Sequence, residues 1–220
     1  MIPAARRWRG ESCTIQEQFD TYVFDIPWNQ ALGSKVDAER IHELSDNFRQ
    51  NYEIADWYPD APAVRPLDVM ICQRANVSYD IRLRTRWRWV AITFLTGWIV
   101  SGFCIGAVTS MTVSALLVTW FCPSCAAILL GYEIIHSQNR ALRDRTSILP
   151  GIDRAIEFFK QDSTNARSPA AVLMCRTFQD AIYDARKHSN RVPGWFYRLR
   201  RTANESIMRT TARDTFEEDT

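Results

Sequence analysis

No Asp, Glu, Lys or Arg lies between Arg88 and Glu133, and this uncharged block constrains the fold more than any other feature of the chain. A helix rises 1.5 Å per residue, so about 20 residues cross a hydrocarbon core some 30 Å thick, and Trp89 to Tyr132 offers about twice that length. The polar run Thr109-Ser110-Met111-Thr112 divides the block into two predicted spans, 89–108 and 113–132, joined by a very short turn. Burying such a hairpin inside a soluble core would need far more surrounding protein than 220 residues supply. The predicted fold class is therefore all-α: a helical membrane hairpin over 89–132, with a helical cytoplasmic domain formed by the flanking segments 1–88 and 133–220.

Charge at the flanks sets the orientation. Arg82, Arg84, Arg86 and Arg88 precede the first span, Arg140, Arg143 and Arg145 follow the second, and the turn carries no charge. The positive-inside rule predicts that both tails are cytoplasmic, with Trp87, Trp89 and Tyr132 at the inner interface. Met1 to Cys13 contains Arg6, Arg7 and Arg9 but lacks the apolar core of a secretory signal. The net charge of +2, with acids and bases mixed throughout, gives no basic face of the kind that binds DNA or RNA. Lys35, Lys160 and Lys187 are the only lysines; a GC-rich genome explains that bias toward arginine as readily as a phosphate-bearing ligand does.

Small residues recur inside the spans. Gly102 and Gly106 form a small-xxx-small pair, and Thr93, Gly97 and Ser101 recur every fourth residue. In the second span Ala115, Thr119, Cys122 and Ala126 share a helical face, beside a possible bend at Pro123. These faces suit helix packing as well as pore lining, and without an ionisable residue they define no ion pathway.

Outside the spans, Ser34 is the expected cap of a helix carrying Val36, Ile41, Leu44 and Phe48. The proline-rich stretch from Asp56-Trp57-Tyr58-Pro59 to Pro66 reads as a rigid connection. From Leu67 a helix is expected to run without a break into the first span, although the alternation of arginines over Ile81–Trp89 would also suit a strand. The second span should continue to Leu149 and stop at Pro150-Gly151, ahead of a shorter piece with Ile152, Ile156 and Phe159. After a polar linker over Ser163–Arg167, Ser168 and Pro169 open a helix to about Lys187. Val192-Pro193-Gly194 separates it from a last helix, Trp195 to about Arg213, and an acidic tail at Glu217, Glu218 and Asp219.

Few residues suggest catalysis. Cys122-Pro123-Ser124-Cys125 has the spacing of a dithiol oxidoreductase, but the middle of a span is where low dielectric holds thiols protonated. The six cysteines are scattered, and His42, His136 and His188 lack second ligands at zinc spacing. There is no phosphate loop, G-x-G-x-x-G or H-E-x-x-H, so the chain is read as a non-enzyme without cofactor or metal. Polar residues flanking the hairpin remain as candidates for ligand or partner binding: Asp56, Trp57, Gln73, Arg74, Asn76, Asp80 and Arg84 upstream, with Gln179, Asp180 and Arg186 downstream. Arginine with amide neighbours suits phosphate and base edges, and surface salt bridges explain the same residues.

Several of these words fall in one order: Phe24-Asp25-Ile26-Pro27-Trp28-Asn29, Asp56-Trp57-Tyr58-Pro59, Cys72-Gln73-Arg74-Ala75-Asn76 with Asp80 and Arg84, and Phe178-Gln179-Asp180 to Tyr183 with Arg186, Pro193, Trp195 and Tyr197. From Ile15 to Met208 the chain resembles the SMODS-associated four-transmembrane effectors of bacterial anti-phage defence. The resemblance implies an oligomeric membrane effector that answers a cyclic oligonucleotide from a cognate synthase by permeabilising the inner membrane, so that the infected cell dies or stops growing. Members of that family carry a further membrane hairpin upstream of the Pro-Trp-Asn motif, where this chain has a short basic segment. A start downstream of the true one, a truncated gene, or a two-span form assembling from more subunits would each account for it. A membrane-anchored interaction or scaffold protein without pore activity is the main alternative, and a membrane dithiol oxidoreductase a weaker one.

Overall fold

The computed structural model describes residues 4–46, 65–161 and 168–199. Every regular element among them is helical: α1 Ala4–Phe24, a 3₁₀ turn Gln30–Leu32, α2 Ala38–Asp46, α3 Leu67–Val108, α4 Val113–Leu116, a π-helical turn Leu117–Phe121, α5 Cys122–Gln161 and α6 Pro169–His188. A short helix over 194–199, α7, follows. The described residues form two compact units. The first takes in 4–46, 65–79, 145–161 and 168–188; the second takes in 80–144 and 189–199. Helices α3 and α5 contribute residues to both.

The core of the first unit is a stack of apolar faces. Val69, Met70 and Ile71 of α3, Ile152, Ala155, Ile156 and Phe159 of α5, and Ala171, Cys175 and Ile182 of α6 are all buried. Helix α1, for which the sequence offered no apolar stripe, belongs to the same core. Its inward face reads Cys13, Glu17, Asp20, Thr21 and Phe24 at helical spacing, so two of these five buried residues are acidic. It ends with Asp25 in the left-handed region (φ 52°), where Ile26 N–H reaches back to the carbonyl of Thr21 at 3.2 Å.

Two expectations about this unit are corrected. Ser34 does not cap α2, because both backbone groups of Val36 bond the amide of Gln18, each at 3.0 Å, and hold the chain extended there. The helix starts at Ala38, and Asp37 supplies the first acceptor, to Ile41. Nor does Pro150-Gly151 end the helix before Ile152: α5 runs through both residues to Gln161. Proline removes a single backbone bond, while the Ile152, Ala155, Ile156 and Phe159 face remains buried and Gly151 accepts the ring of Phe178 at 3.5 Å from where a Cβ would stand. The connection from Asp56 to Pro62, the 163–167 linker, Phe48, the last helix beyond 199 and the acidic tail lie outside the described residues.

The second unit carries the hairpin. Helix α3 is continuous from Leu67 to Val108, including the arginine-alternating stretch. It closes on Ser110 (φ 51°), with Met111 N–H on the carbonyl of Gly106 (2.9 Å) and Ser110 N–H on that of Ala107 (3.3 Å). Thr112 then caps the returning helix by accepting from Ala115 N–H at 3.3 Å. The turn falls where the polar run predicts it. The π turn that follows passes the N–H of Cys122 to the carbonyl of Leu117, directly before Pro123. By length and composition both arms qualify as membrane spans, and only 11% and 6% of their most apolar stretches are buried. Phe94, Phe103, Val108, Val113 and Leu129 are open to the surroundings, an apolar surface that water does not tolerate and lipid does.

Candidate functional site: a buried polar cluster

Helix α6 lays three of the predicted residues, Gln179, Asp180 and Arg186, on the side facing α1. Gln73 of α3 meets them there. The Gln73 amide donates to Gln179 Oε1 at 3.1 Å and to the Cys175 carbonyl at 2.9 Å. Gln179 in turn donates to Glu17 Oε2 at 2.8 Å and Asp20 Oδ2 at 3.1 Å. Arg186 reaches Asp20 at 2.6 Å, and Arg176 reaches Glu17 at 2.5 Å and Asp180 at 2.7 Å. Asn29 and the carbonyl of Pro27 complete the edge, at 3.0 Å from Asp180 and 3.2 Å from Arg176.

Glu17, Asp20, Gln73 and Gln179 are essentially inaccessible. Ionised groups survive such burial only when paired, and here each carboxylate faces a guanidinium or a carboxamide. Burial nevertheless outweighs these bonds at Glu17 and raises its pKa, with Arg176 and Gln179 opposing. Burial, helped by Asp68, also pushes the Cys175 thiol up to about 12, so it stays protonated and unreactive. The arrangement joins α1, α3 and α6 in a fixed register. Gln73 Oε1 and Arg176 Nε are buried without partners among the described residues.

The remaining predicted residues separate. Arg74 points away from the cluster to Asp153, at 2.5 Å. Asn76 is half-buried on the same helix. In the second unit Asp80 holds Arg84 at 3.0 Å, and Arg84 also donates to Gln138 Oε1 (3.1 Å), the Asn190 carbonyl (2.7 Å) and Ser189 Oγ (3.2 Å). Asp56 and Trp57 lie outside the described residues. Sequence reasoning missed Glu17, Asp20 and Arg176, the charged partners of the residues it singled out; the detectable signal was a pair of acids at helical spacing between Cys13 and Phe24.

The hairpin residues also divide. A Cβ on Gly102 would stand 2.4 Å from the indole of Trp120, and one on Gly106 would stand 3.1 Å from Leu116, so both glycines admit the returning helix. Trp120 stacks on Trp98 at 4.9 Å, and Trp98 Nε1 donates to Ser124 Oγ at 3.0 Å. Gly97 has nothing within 4 Å, while Ser101 and Thr119 bond carbonyls of their own helices at 2.8 and 2.7 Å. Cys122 and Cys125 are exposed free thiols, and Pro123 is exposed between them.

This combination of a polar helical unit and an apolar hairpin coincides with a known family. Residues 2–215 match the SMODS-associating 4TM effector domain. The chain belongs to that family. It is also similar to a probable CBASS effector molecule of Bacillus cereus (strain VD146), with 25% identity over 198 residues, which is 88% of this chain and 65% of the relative. The chain thus spans less than two thirds of that relative's length. No solved structure matches it. The family is described as an effector domain rather than by an enzymatic activity. The words that carry the family resemblance include the cluster residues Asn29, Gln73, Gln179 and Asp180 and the Asp80–Arg84 pair.

Proposed function

We propose that the chain is the membrane effector of a CBASS anti-phage system, and that it permeabilises the bacterial inner membrane when a cyclic oligonucleotide from a cognate synthase reaches its cytoplasmic unit. The carrying observation is the unbroken helix α3, which holds Gln73 in the buried cluster and continues in sequence into the apolar hairpin. A shift of α1 or α6 against Gln73 would act directly on the helix that also carries the first span. Arg74 and Asn76 of α3, with Asp56 and Trp57 outside the described residues, are the residues assigned to signal or partner contact.

Both tails are assigned to the cytoplasm, following the arginines at the hairpin's ends. Two helices cannot enclose an aqueous path, so the permeabilising form is an oligomer, with the open face of Thr93, Gly97 and Ser101 turned toward a neighbouring copy. The test is entry of a membrane-impermeant dye into cells expressing the chain with its synthase, before and after the synthase is activated. Dye entry on activation, lost in Gln73→Ala at equal protein level, is expected. Unchanged permeability with full-length protein in the membrane would overturn the proposal and leave the hairpin as an anchor.

A further inference from the structure

We propose that α7 and the arginine-rich end of α3 form an interfacial element that binds anionic phospholipid headgroups beside the hairpin. This rests on reading the hairpin as embedded in lipid. The segment before α7 is fixed to α3 by Arg84, through Asn190 and Ser189. The helix itself is fixed by Trp87, whose ring lies 5.2 Å from that of the buried Phe196 and 5.8 Å, edge-on, from Trp195. Trp87 precedes the start of the uncharged block, Trp89, by two positions, about 3 Å along a helix, and Arg84 by five, about 8 Å. Such anchoring holds α7 at the depth where headgroups meet acyl chains.

The exposed part of α7 is suited to that depth. Trp195 (55% exposed) and Leu199 (71% exposed) stand one helical turn apart, and Trp89 and Tyr132 are likewise open. An amphipathic ring and an aliphatic side chain on one face of a short helix are what an interface accepts. Charge supplies the specificity. Among its described residues the unit carries eight arginines against three acids, Asp80, Glu133 and Asp144, and guanidinium groups bind phosphate in a bidentate fork.

The experiment uses full-length protein in a non-ionic detergent, with thermal unfolding followed after addition of phosphatidylglycerol or of phosphatidylcholine with the same acyl chains. Phosphatidylglycerol is expected to raise the Tm by several degrees and phosphatidylcholine by much less. Leu199→Ser and Arg198→Gln should each remove at least half of the difference without changing the lipid-free Tm. In nanodiscs of brominated phosphatidylglycerol, Trp195→Phe should remove part of the quenched tryptophan emission. Equal shifts from both lipids, full shifts in both variants, an equal shift from inorganic phosphate, or a dimer lost in Leu199→Ser would overturn the proposal. Membranes from expressing cells separate the two readings: protein that resists carbonate extraction while the variants keep the lipid shift defeats this inference alone, whereas protein found in the supernatant defeats the membrane reading as well.

Discussion

Glu17 and Phe94 mark the contrast between the two units: the carboxylate is 0% exposed and the phenyl ring 74% exposed. In the first unit acidic groups are taken inside, paired with Arg176 and Arg186 and hydrogen-bonded by Gln179; in the hairpin, apolar side chains face outward and the interior is a stack of indoles over glycine. Burial therefore costs different things in the two places. A polar group buried in the first unit needs a partner. A side chain in the hairpin needs close fit, because lipid rewards helix contact only through packing.

The contrast would break most visibly at Arg176. Replacing it by Ala leaves Glu17 and Asp180 without their guanidinium and should cost on the order of 3–5 kcal/mol, read as lowered denaturation stability of the purified protein. A loss below about 1 kcal/mol would mean that the cluster is not ionic. In the hairpin, Gly102→Ala pushes a methyl into Trp120 and should cost about 1–3 kcal/mol, partly restored by Trp120→Leu in the same thermal assay.

A pH series sharpens the first half of the contrast. Burial raises the Glu17 pKa above its ordinary 4.5 in the folded chain, so the folded state holds that proton more tightly than the unfolded state. Its contribution is complete below about 4.5 and is lost as pH rises through the folded value. Glu17→Gln should therefore gain in Tm relative to the parent as pH increases from 4.5, and parallel Tm curves would refute that. The smallest expected effect is at Gly97, where Ala meets open space and should change stability by no more than about 0.5 kcal/mol. A cost matching that of Gly102→Ala would mean that this face is packed in an assembly.

How much was legible differs between the units for the same reason. The hairpin's two arms and turn follow from length, absence of charge and a polar break, quantities that run along one dimension. Helix α1 was missed because its buried face contains Glu17 and Asp20, and a search for apolar periodicity passes over a stripe interrupted by acids. The start of α2 depended on Gln18, a residue eighteen positions before Val36, and the persistence of α5 through Pro150 depended on the burial of Ile152 and Phe159. Gln73, Gln179, Asp180 and Arg186 were recognisable as unusual polar residues. That they meet Glu17 and Arg176, while Arg74, Asp80 and Arg84 do not, was invisible.

By itself, then, the sequence determined which part is long and apolar enough to enter lipid, since transfer to lipid is summed residue by residue and does not depend on which distant segment lies alongside. Tertiary structure alone decided the partners. A buried carboxylate is tolerable only where a donor from another helix stands within hydrogen-bond reach, and that distance exists only after α1, α3 and α6 have been brought together.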